Sequence, residues 1–396
     1  MIDIKKSRYS KYFLFSSLYF IQGLILTISW VIIPLYFIKF EISLPVTSLV
    51  IGIGMLPWSI KFFWGGIVDY FIEHGRKKFI LMGGLLFAFG LFSLTFIDPK
   101  EYLALFTIFL FLSVNGIVFL DVAIDAWAIQ TSEEEDRGKI SGSMFAGQNS
   151  GYVVTIILFT YIGFNFGYNY VFLIAALIAI IISLFPILFE EKKITRKDQK
   201  IKQILIGEFK KKKTQIISLF TSLLFISSGI IIVAIPMFLS IQLKLDDPFI
   251  GVIIATATTA QAIGCIIGGY TSDKYGRKKM LNLYISISII FILLIVFAKT
   301  WLLLLVILSI YKFLYGGYTT INLALLMDTT NPKIGALQFS ILASLANSGL
   351  TGGNAVSGSF VTLLGFTRTF IMCAWFLGPP LLILYFINLK NNIKNG

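Results

Sequence analysis

"GGIVDYFIEHGRKK" at residues 65–78 and "GGYTSDKYGRKK" at residues 268–279 are one segment written twice. Each sets a Gly-x-x-x-Asp element, Gly65/Asp69 or Gly269/Asp273, ahead of a Gly-Arg-Lys-Lys run, and the two elements are offset by 204 residues. The first copy is longer, with Tyr-Phe-Ile-Glu-His between Asp69 and Gly75 where the second has only Lys-Tyr between Asp273 and Gly276. Two further repeats keep the same order: IPLYF at 33–37 returns as IPMFL at 235–239, offset 202, and Asn-Ser-Gly at 149–151 returns at 347–349, offset 198. Short apolar words recur by chance, but three in one order at nearly one offset mark a chain of two similar halves.

What the halves are made of follows from composition. The 396 residues are 57% hydrophobic and 13% charged, with a mean hydropathy of +0.86, which describes a polytopic membrane protein rather than a water-soluble core. Apolar runs long enough to cross about 30 Å of hydrocarbon, roughly 20 residues each, fall near 12–38, 46–71, 79–97, 102–130, 139–163, 168–189, 214–243, 249–272, 279–298, 301–328, 335–364 and 368–389. The first follows Lys5, Lys6 and Arg8 as a signal peptide would, yet its core is too long and no small-residue cleavage site follows, so it reads as a retained span. Six spans per half is an even number. Both halves therefore enter from the same side, and the repeat is parallel about an axis along the membrane normal.

The formal net charge of +13 raises the question of a nucleic-acid surface, and its distribution answers it. With twelve spans, 26 of the 33 Lys and Arg lie on the side that holds both termini, five lie on the other (Lys39, Lys100, Lys244, Lys299 and Arg368), and Lys61 and Lys312 lie within spans. The bias places both termini in the cytoplasm, and basic residues scattered over short loops offer no nucleic-acid platform. The acidic run Glu133–Asp136 does not oppose this orientation, because acidic residues contribute little to it. The Lys-rich connection at 190–213 divides the chain near its middle and reads as a solvated linker, with contact to anionic lipid heads as the other reading.

Charges inside the spans are costly and functional by default. Asp121 and Asp125 are four residues apart and share one helix face. Lys61 lies eight residues before Asp69, about 12 Å along a helix, and Asp121 lies about as far from the end of the fourth span near Gln130. The two groups thus share a depth at which a pair is geometrically possible. One reading makes them a proton site, in which a desolvated carboxylate takes and releases a proton while Lys61 alternates between the acid and an anionic substrate; the other makes them a fixed bridge between helices. Asp125, nearer the cytoplasmic end, is within reach of Arg76. Lys312, eleven residues into the tenth span, is expected to bind an anion, with structural pairing as its alternative. Gln22, Asn115, Gln148, Gln261 and Asn354 are polar candidates at membrane depth, for substrate or for helix-to-helix hydrogen bonds.

Other chemistries are poorly served. The single histidine, His74, sits in a charged loop, so the His/Asp or Ser/His/Asp set of a membrane-embedded enzyme is missing, and a channel or receptor remains a lesser alternative. "GVIIATATTAQAIGCIIGG" at 251–269 and "NSGLTGGNAVSGS" at 347–359 lack the Lys-Ser/Thr of a phosphate-binding loop and suit close helix packing instead. Cys265 and Cys373 lie in apolar spans, which indicates neither a disulfide framework nor a metal site, and no cofactor is expected.

Six plus six spans, a basic central connection and the repeated loop resemble the major facilitator superfamily over the whole chain. The resemblance implies an all-α fold of two six-helix bundles related by pseudo-two-fold symmetry, residues 1–189 and 214–396, and a carrier that works by alternating access. It also implies that the repeated loop is a cytoplasmic gate, formed by Gly65, Asp69 and Arg76 and by Gly269, Asp273 and Arg277, in which the aspartate faces a helix N-terminus and the arginine pairs with a nearby acid. The physics suits that role, since a carboxylate gains from the positive end of a helix dipole and glycine permits close helix approach. A short turn with orienting charges is the plainer alternative, and the insertion before Gly75 leaves the position of Arg76 open.

A narrower likeness rests on Pro57-Trp58-Ser59-Ile60-Lys61-Phe62-Phe63-Trp64 with Asp69, and on Asp121-Val122-Ala123-Ile124-Asp125-Ala126-Trp127 followed by Glu-Asp-Arg-Gly at 135–138. These segments resemble those of the AmpG-type muropeptide permeases and the related acetyl-CoA transporters, with Leu120 in place of the usual glutamine. Ala324 to Gly349, with Met327 and Gln338-Phe339-Ser340, is similar to the tenth and eleventh spans of that group. The resemblance implies proton-driven transport of a large organic anion by a monomer in a prokaryotic plasma membrane. A drug or sugar carrier of the same superfamily is the rival reading.

Overall fold

The computed structural model describes residues 8–71, 73, 75–131, 137–191, 201–331 and 334–386. Six long helices make up the first half: α1 (8–39), α2 (44–70), α3 (Arg76–Leu94), α4 (Leu103–Thr131), α5 (Arg137–Asn165) and α6 (Tyr168–Ser183). A short helix α7 (Ile201–Lys210) lies in the central connection. The second half holds α8 (212–242), α9 (Asp247–Tyr275), α10 (Arg277–Ile295), α11 (Trp301–Thr329), α12 (335–364) and α13 (366–386). Among the described residues, ten stretches are long and apolar enough to cross a membrane. One of them, Leu337–Phe386, contains both α12 and α13, broken at Gly365. The polar run Gln148-Asn149-Ser150 dilutes α5, so the twelve expected runs correspond to twelve helices.

Several sequence features become local structure in these helices. Pro57 sits inside α2, where it lacks an N–H and its ring crowds the carbonyl four residues earlier. The helix breaks three residues on at Ile60 (φ −114°, ψ 20°), so that Lys61 begins a new helical segment running to Tyr70. The turns that end the second span of each half need a left-handed residue, and glycine supplies it at Gly75 (φ 81°) and Gly276 (φ 92°). The match goes further. Among the described residues the other positive-φ positions are Gly167 and Gly365, offset 198, and Glu41 and Lys244, offset 203. Every left-handed position thus has a partner at the repeat spacing.

The chain forms two compact units. Unit 1 comprises 1–42, 53–198 and 246–251; unit 2 comprises 43–52, 199–245 and 252–396. The division follows the two halves except for the first turns of α2 and of α9, each of which groups with the opposite half. In unit 2, Ser48 Oγ donates to the Ala355 carbonyl at 3.1 Å, and a Cβ on Gly52 would stand 2.4 Å from that of Ala355. In unit 1, the Tyr168 hydroxyl donates to Asp247 Oδ2, and a Cβ on Gly251 would stand 2.2 Å from Thr160 Oγ1.

Inside each unit the repeated Asn-Ser-Gly lies at a close helix crossing. A Cβ on Gly151 of α5 would lie 2.2 Å from the Phe20 carbonyl oxygen of α1, and one on Gly349 of α12 would lie 1.9 Å from the Ser222 carbonyl oxygen of α8. Such approach is possible only for glycine, and it brings the first and fifth helices of each half into backbone contact. Around these crossings the core is aliphatic and aromatic, with Leu18, Ile25, Trp127 and Ile156 buried in unit 1 and Phe220, Leu224, Ile230 and Tyr318 in unit 2.

Outside the spans, α7 docks in unit 2 through Glu208, which accepts from Lys211 Nζ at 2.7 Å and from Asn331 Nδ2 at 2.6 Å. These two hydrogen bonds hold its carboxyl below the usual range. The acidic run Glu133–Asp136, His74 and the middle of the basic linker lie outside the described residues, as does the Asp69 side chain.

Candidate functional site

Unit 1 collects five of the residues singled out in the sequence around one ammonium. The break at Ile60 starts a helical segment with Lys61, and the four-residue spacing of Asp121 and Asp125 presents both carboxylates from α4. Lys61 Nζ stands 2.5 Å from Asp121 Oδ2, an ion pair outside hydrogen-bond geometry, and donates to Asp125 Oδ2 at 3.0 Å. Asp121 Oδ1 accepts from Gln22 Nε2 of α1 at 2.7 Å, and Gln22 Oε1 in turn accepts from Gln148 Nε2 of α5 at 2.9 Å. The Tyr19 hydroxyl donates to Asp125 Oδ1. The Trp58 ring centre is 5.9 Å from the ammonium.

Burial grades along this cluster. Asp121 is 2% exposed, Lys61 17% and Asp125 35%. One cation thus faces two carboxylates, and the group is one positive charge short of neutrality. Protonation of either acid would cancel the deficit and weaken the hold on Lys61. Asn115, on the same helix as Asp121, bonds instead to its own backbone through Phe111 O at 3.0 Å.

Unit 2 carries the complementary imbalance. Lys312, in the middle of α11, is 6% exposed. Its Nζ reaches Gln261 Oε1 of α9 at 3.5 Å and the Tyr315 ring centre at 5.5 Å, and no carboxylate among the described residues pairs with it. Tyr311 and Tyr318 in turn pack against Tyr315, and Tyr318 is hydrogen-bonded to Ser228 at 2.7 Å. Asn354 of α12 is fully buried in the same unit. By the repeat offsets Lys61 corresponds to Cys265 and Asp121 to Thr319, so the carboxylate cluster has no counterpart here.

The repeated loop has a matched geometry in each unit. Gly65 of α2 faces Val122 of α4, and Gly269 of α9 faces Thr320 of α11; a Cβ would stand 3.7 and 3.5 Å from those side chains, ordinary van der Waals contact, so neither crossing depends on glycine for its closeness. The Arg76 guanidinium donates to the Ala126 carbonyl and to Gln130 Oε1 at 3.0 Å, while both Asp125 oxygens are taken by Lys61 and Tyr19. Arg277 meets Asp328 through two nitrogens, Nε at 2.5 Å and Nη2 at 3.2 Å, with Asp273 at 3.9 Å. Gln130 and Asp328 are themselves offset by 198, so the two arginines grip equivalent positions. Glu191 adds a carboxylate at the start of α3, accepting from the backbone N–H of Arg76 at 2.5 Å and of Lys77 at 3.1 Å. Tyr19, Glu191 and Asp328 were not among the residues the sequence suggested. The repeat spacing alone points to Asp328 once Gln130 is known to hold Arg76.

Comparison with known proteins bears on the family and the fold. The family model described as Major Facilitator Superfamily matches residues 15–221 and 217–394. Proteins of Rickettsia conorii and Rickettsia felis, each carrying the name "Putative transporter AmpG 4", are 25% identical over 376 residues, covering 86% of this chain and 88% of theirs. Among solved structures, the nucleoside transporter NupG superposes with a TM-score of 0.78 at 14% identity, over 96% of this chain and 100% of that one. A bacterial homologue of the human lysosomal transporter Spinster gives 0.77 at 13% identity, over 96% and 97%. At such identity these two structures speak for the fold alone.

Proposed function

Since the chain belongs to the major facilitator superfamily, and is therefore a multi-pass membrane transporter rather than an enzyme, we propose that it is a proton-coupled carrier of an organic anion. The solute is of the sugar-peptide or CoA-thioester type suggested by the AmpG-like segments, and the carrier acts as a monomer in a prokaryotic plasma membrane with both termini in the cytoplasm.

The observation that carries the reading is the Lys61 ammonium held between Asp121 and Asp125 at 2.5 and 3.0 Å in an almost closed environment. An ionic group so placed is expensive unless it cycles or pairs, and this one pairs with an excess of acid. A proton arriving on Asp121 removes a charge that Lys61 was compensating, so the ammonium is freed to hold an anion. When the proton leaves, Lys61 returns to the carboxylate. Lys312, which pairs with no acid among the described residues, supplies the second cation for the solute, with Gln22, Gln148, Asn115 and Asn354 as polar neighbours of the path. Asp125 shares the proton site through Lys61 and Tyr19. Gly65, Asp69 and Arg76, with Gly269, Asp273 and Arg277, form the cytoplasmic gate, and Glu191 and Asp328 are the acids that hold its arginines and helix starts.

Asp121→Asn tests the proton role. Reconstituted in vesicles, the variant is expected to lose accumulation against a gradient at least about tenfold, a change of roughly 1.4 kcal/mol in driving energy, while counterflow persists. Uphill uptake equal to that of the unaltered protein would overturn the reading.

A further inference from the structure

Helix α2 is anchored at its two ends in different units and is interrupted between them. Its first turns belong to unit 2, where Ser48 Oγ donates to the Ala355 carbonyl at 3.1 Å, Gly52 lies against Ala355, and the Leu44 carbonyl lies against Gly358 of α12. Its last ten residues, Lys61–Tyr70, belong to unit 1. There the Lys61 ammonium pairs with Asp121 and Asp125, and the Trp64 ring centre stands 5.0 Å from that of Phe119, all three partners being on α4. Between the two anchors, Gly54 meets the end of the Leu110 side chain, an apolar contact that can slide.

The interruption is short. Ile60 leaves helical geometry at φ −114° and ψ 20°. Its N–H donates to the Pro57 carbonyl at 3.2 Å, and the Phe63 N–H donates to the Ile60 carbonyl at 2.9 Å. Both bonds span three residues where an α-helix spans four, and such a tightened stretch inside a long helix marks a hinge or a sequence under strain. Pro57 lacks an N–H and so removes a rung of the ladder just before the break. Ile60 is 37% exposed, so core packing does not lock the angles at which the chain turns.

The second half supplies a contrast. Helix α9 is also divided, with 247–251 in unit 1 and 252–275 in unit 2, yet it runs unbroken from Asp247 to Tyr275. At the repeat offset of 204, Pro57 and Ile60 correspond to Gln261 and Gly264. Gly264 is helical and lies against the Phe313 carbonyl of α11, which leaves no room for the helix to flex there.

We propose that the Pro57–Ile60 break is a joint present in one half only: about it the outer segment of α2, residues 44–59, turns with unit 2 while the segment that begins at Lys61 keeps its place on α4. A continuous helix curves gently, and a sharp bend needs a local cause; hinges are a few residues that absorb a large φ/ψ change. The joint puts that change next to the ion pair but not in it. Lys61 therefore keeps both carboxylates while the outer end of its own helix moves. Helix α9, having no joint, moves as a rod. The proposal depends neither on the solute nor on protons, and so goes beyond the function proposed above.

The test measures distances between pairs of spin labels in the full-length protein in lipid nanodiscs, in a background of Cys265→Ser and Cys373→Ala. The labels are carried at exposed positions: Leu49→Cys with Tyr70→Cys across the joint, Val252→Cys with Tyr275→Cys along α9, and Tyr70→Cys with Leu105→Cys between the inner segment and α4. On straight helices the first two pairs would stand about 32 and 35 Å apart. The distribution across the joint should be about twice as wide as the other two, and Pro57→Ala should narrow it to the width seen along α9. If Pro57→Ala does not fold, Ile60→Gly takes its place and should widen the distribution further, because glycine frees the backbone. Equal widths for all three pairs would overturn the joint. So would a Tyr70–Leu105 distribution as broad as the one across the joint, or a width that the variant tested leaves unchanged. None of these outcomes bears on the organic-anion reading, which is decided by flux.

Discussion

Lys61 was an anomaly in the sequence, a cation in the middle of an apolar run, and the structure gives it two acids. Its placement at the depth of Asp121 was readable because both residues can be counted back from a helix end at a fixed rise. That their helix faces meet was not readable, since spacing within a helix says nothing of its rotation against a neighbour. Tyr19 was invisible for a different reason: in a chain with 17 tyrosines and 38 phenylalanines, an aromatic residue at membrane depth carries no signal of its own. The same geometry predicts how the site fails. Lys61→Met leaves Asp121, 2% exposed, beside Asp125 without a cation, and removing one partner of a buried ion pair costs about 3–5 kcal/mol. The melting temperature of the purified variant should fall, and adding Asp121→Leu should recover part of the loss by removing the stranded charge. A double variant less stable than the single one would count against a compensating pair.

At the scale of helices, the sequence was informative where small residues crowd: those stretches foretold close packing without saying against what, whereas the interruption of α2 after Pro57 emerged only in the structure. The structure supplies the partners, with Gly349 of α12 lying against the Ser222 carbonyl of α8 and Gly151 of α5 against Phe20 of α1. Gly349→Val should separate α8 from α12, because a backbone carbonyl 1.9 Å from the added carbon cannot move as a flexible side chain would. Overpacking of this kind typically costs about 1–3 kcal/mol or more, and a thermal melt in detergent measures it. Gly352, whose added carbon meets nothing within 4 Å, is the control position. The central connection read as a basic linker; its helix α7 and the Glu208–Asn331 contact were hidden, because a ten-residue amphipathic segment in a lysine-rich stretch has no decisive period.

At the scale of the molecule, the duplicated architecture was legible from three short words and one offset, and the family comparison agrees with it. The exchange of 43–52 and 246–251 between units was not, because it depends on which neighbours the first turns of α2 and α9 find. Nor did the repeat reveal the difference between its halves. Lys61 and Asp121 stand where the second half has Cys265 and Thr319, and Lys312 stands where the first has Val114. Backbone and side chains have therefore diverged at different rates, with the shared turns and crossings kept while the charges were divided.

The paired left-handed residues, Gly75 with Gly276, Gly167 with Gly365 and Glu41 with Lys244, carry a practical consequence. Each half encodes its own reversals of direction, so neither needs the peptide bond joining it to the other in order to turn correctly. A gene cut within residues 192–200 and expressed as two polypeptides should reassemble into a complex that co-purifies, the exchanged first turns of α2 and α9 acting as reciprocal anchors. Expressed alone, each fragment lacks the surface its anchor lies against and should be degraded, so recovery of either half without the other would argue against that mutual dependence.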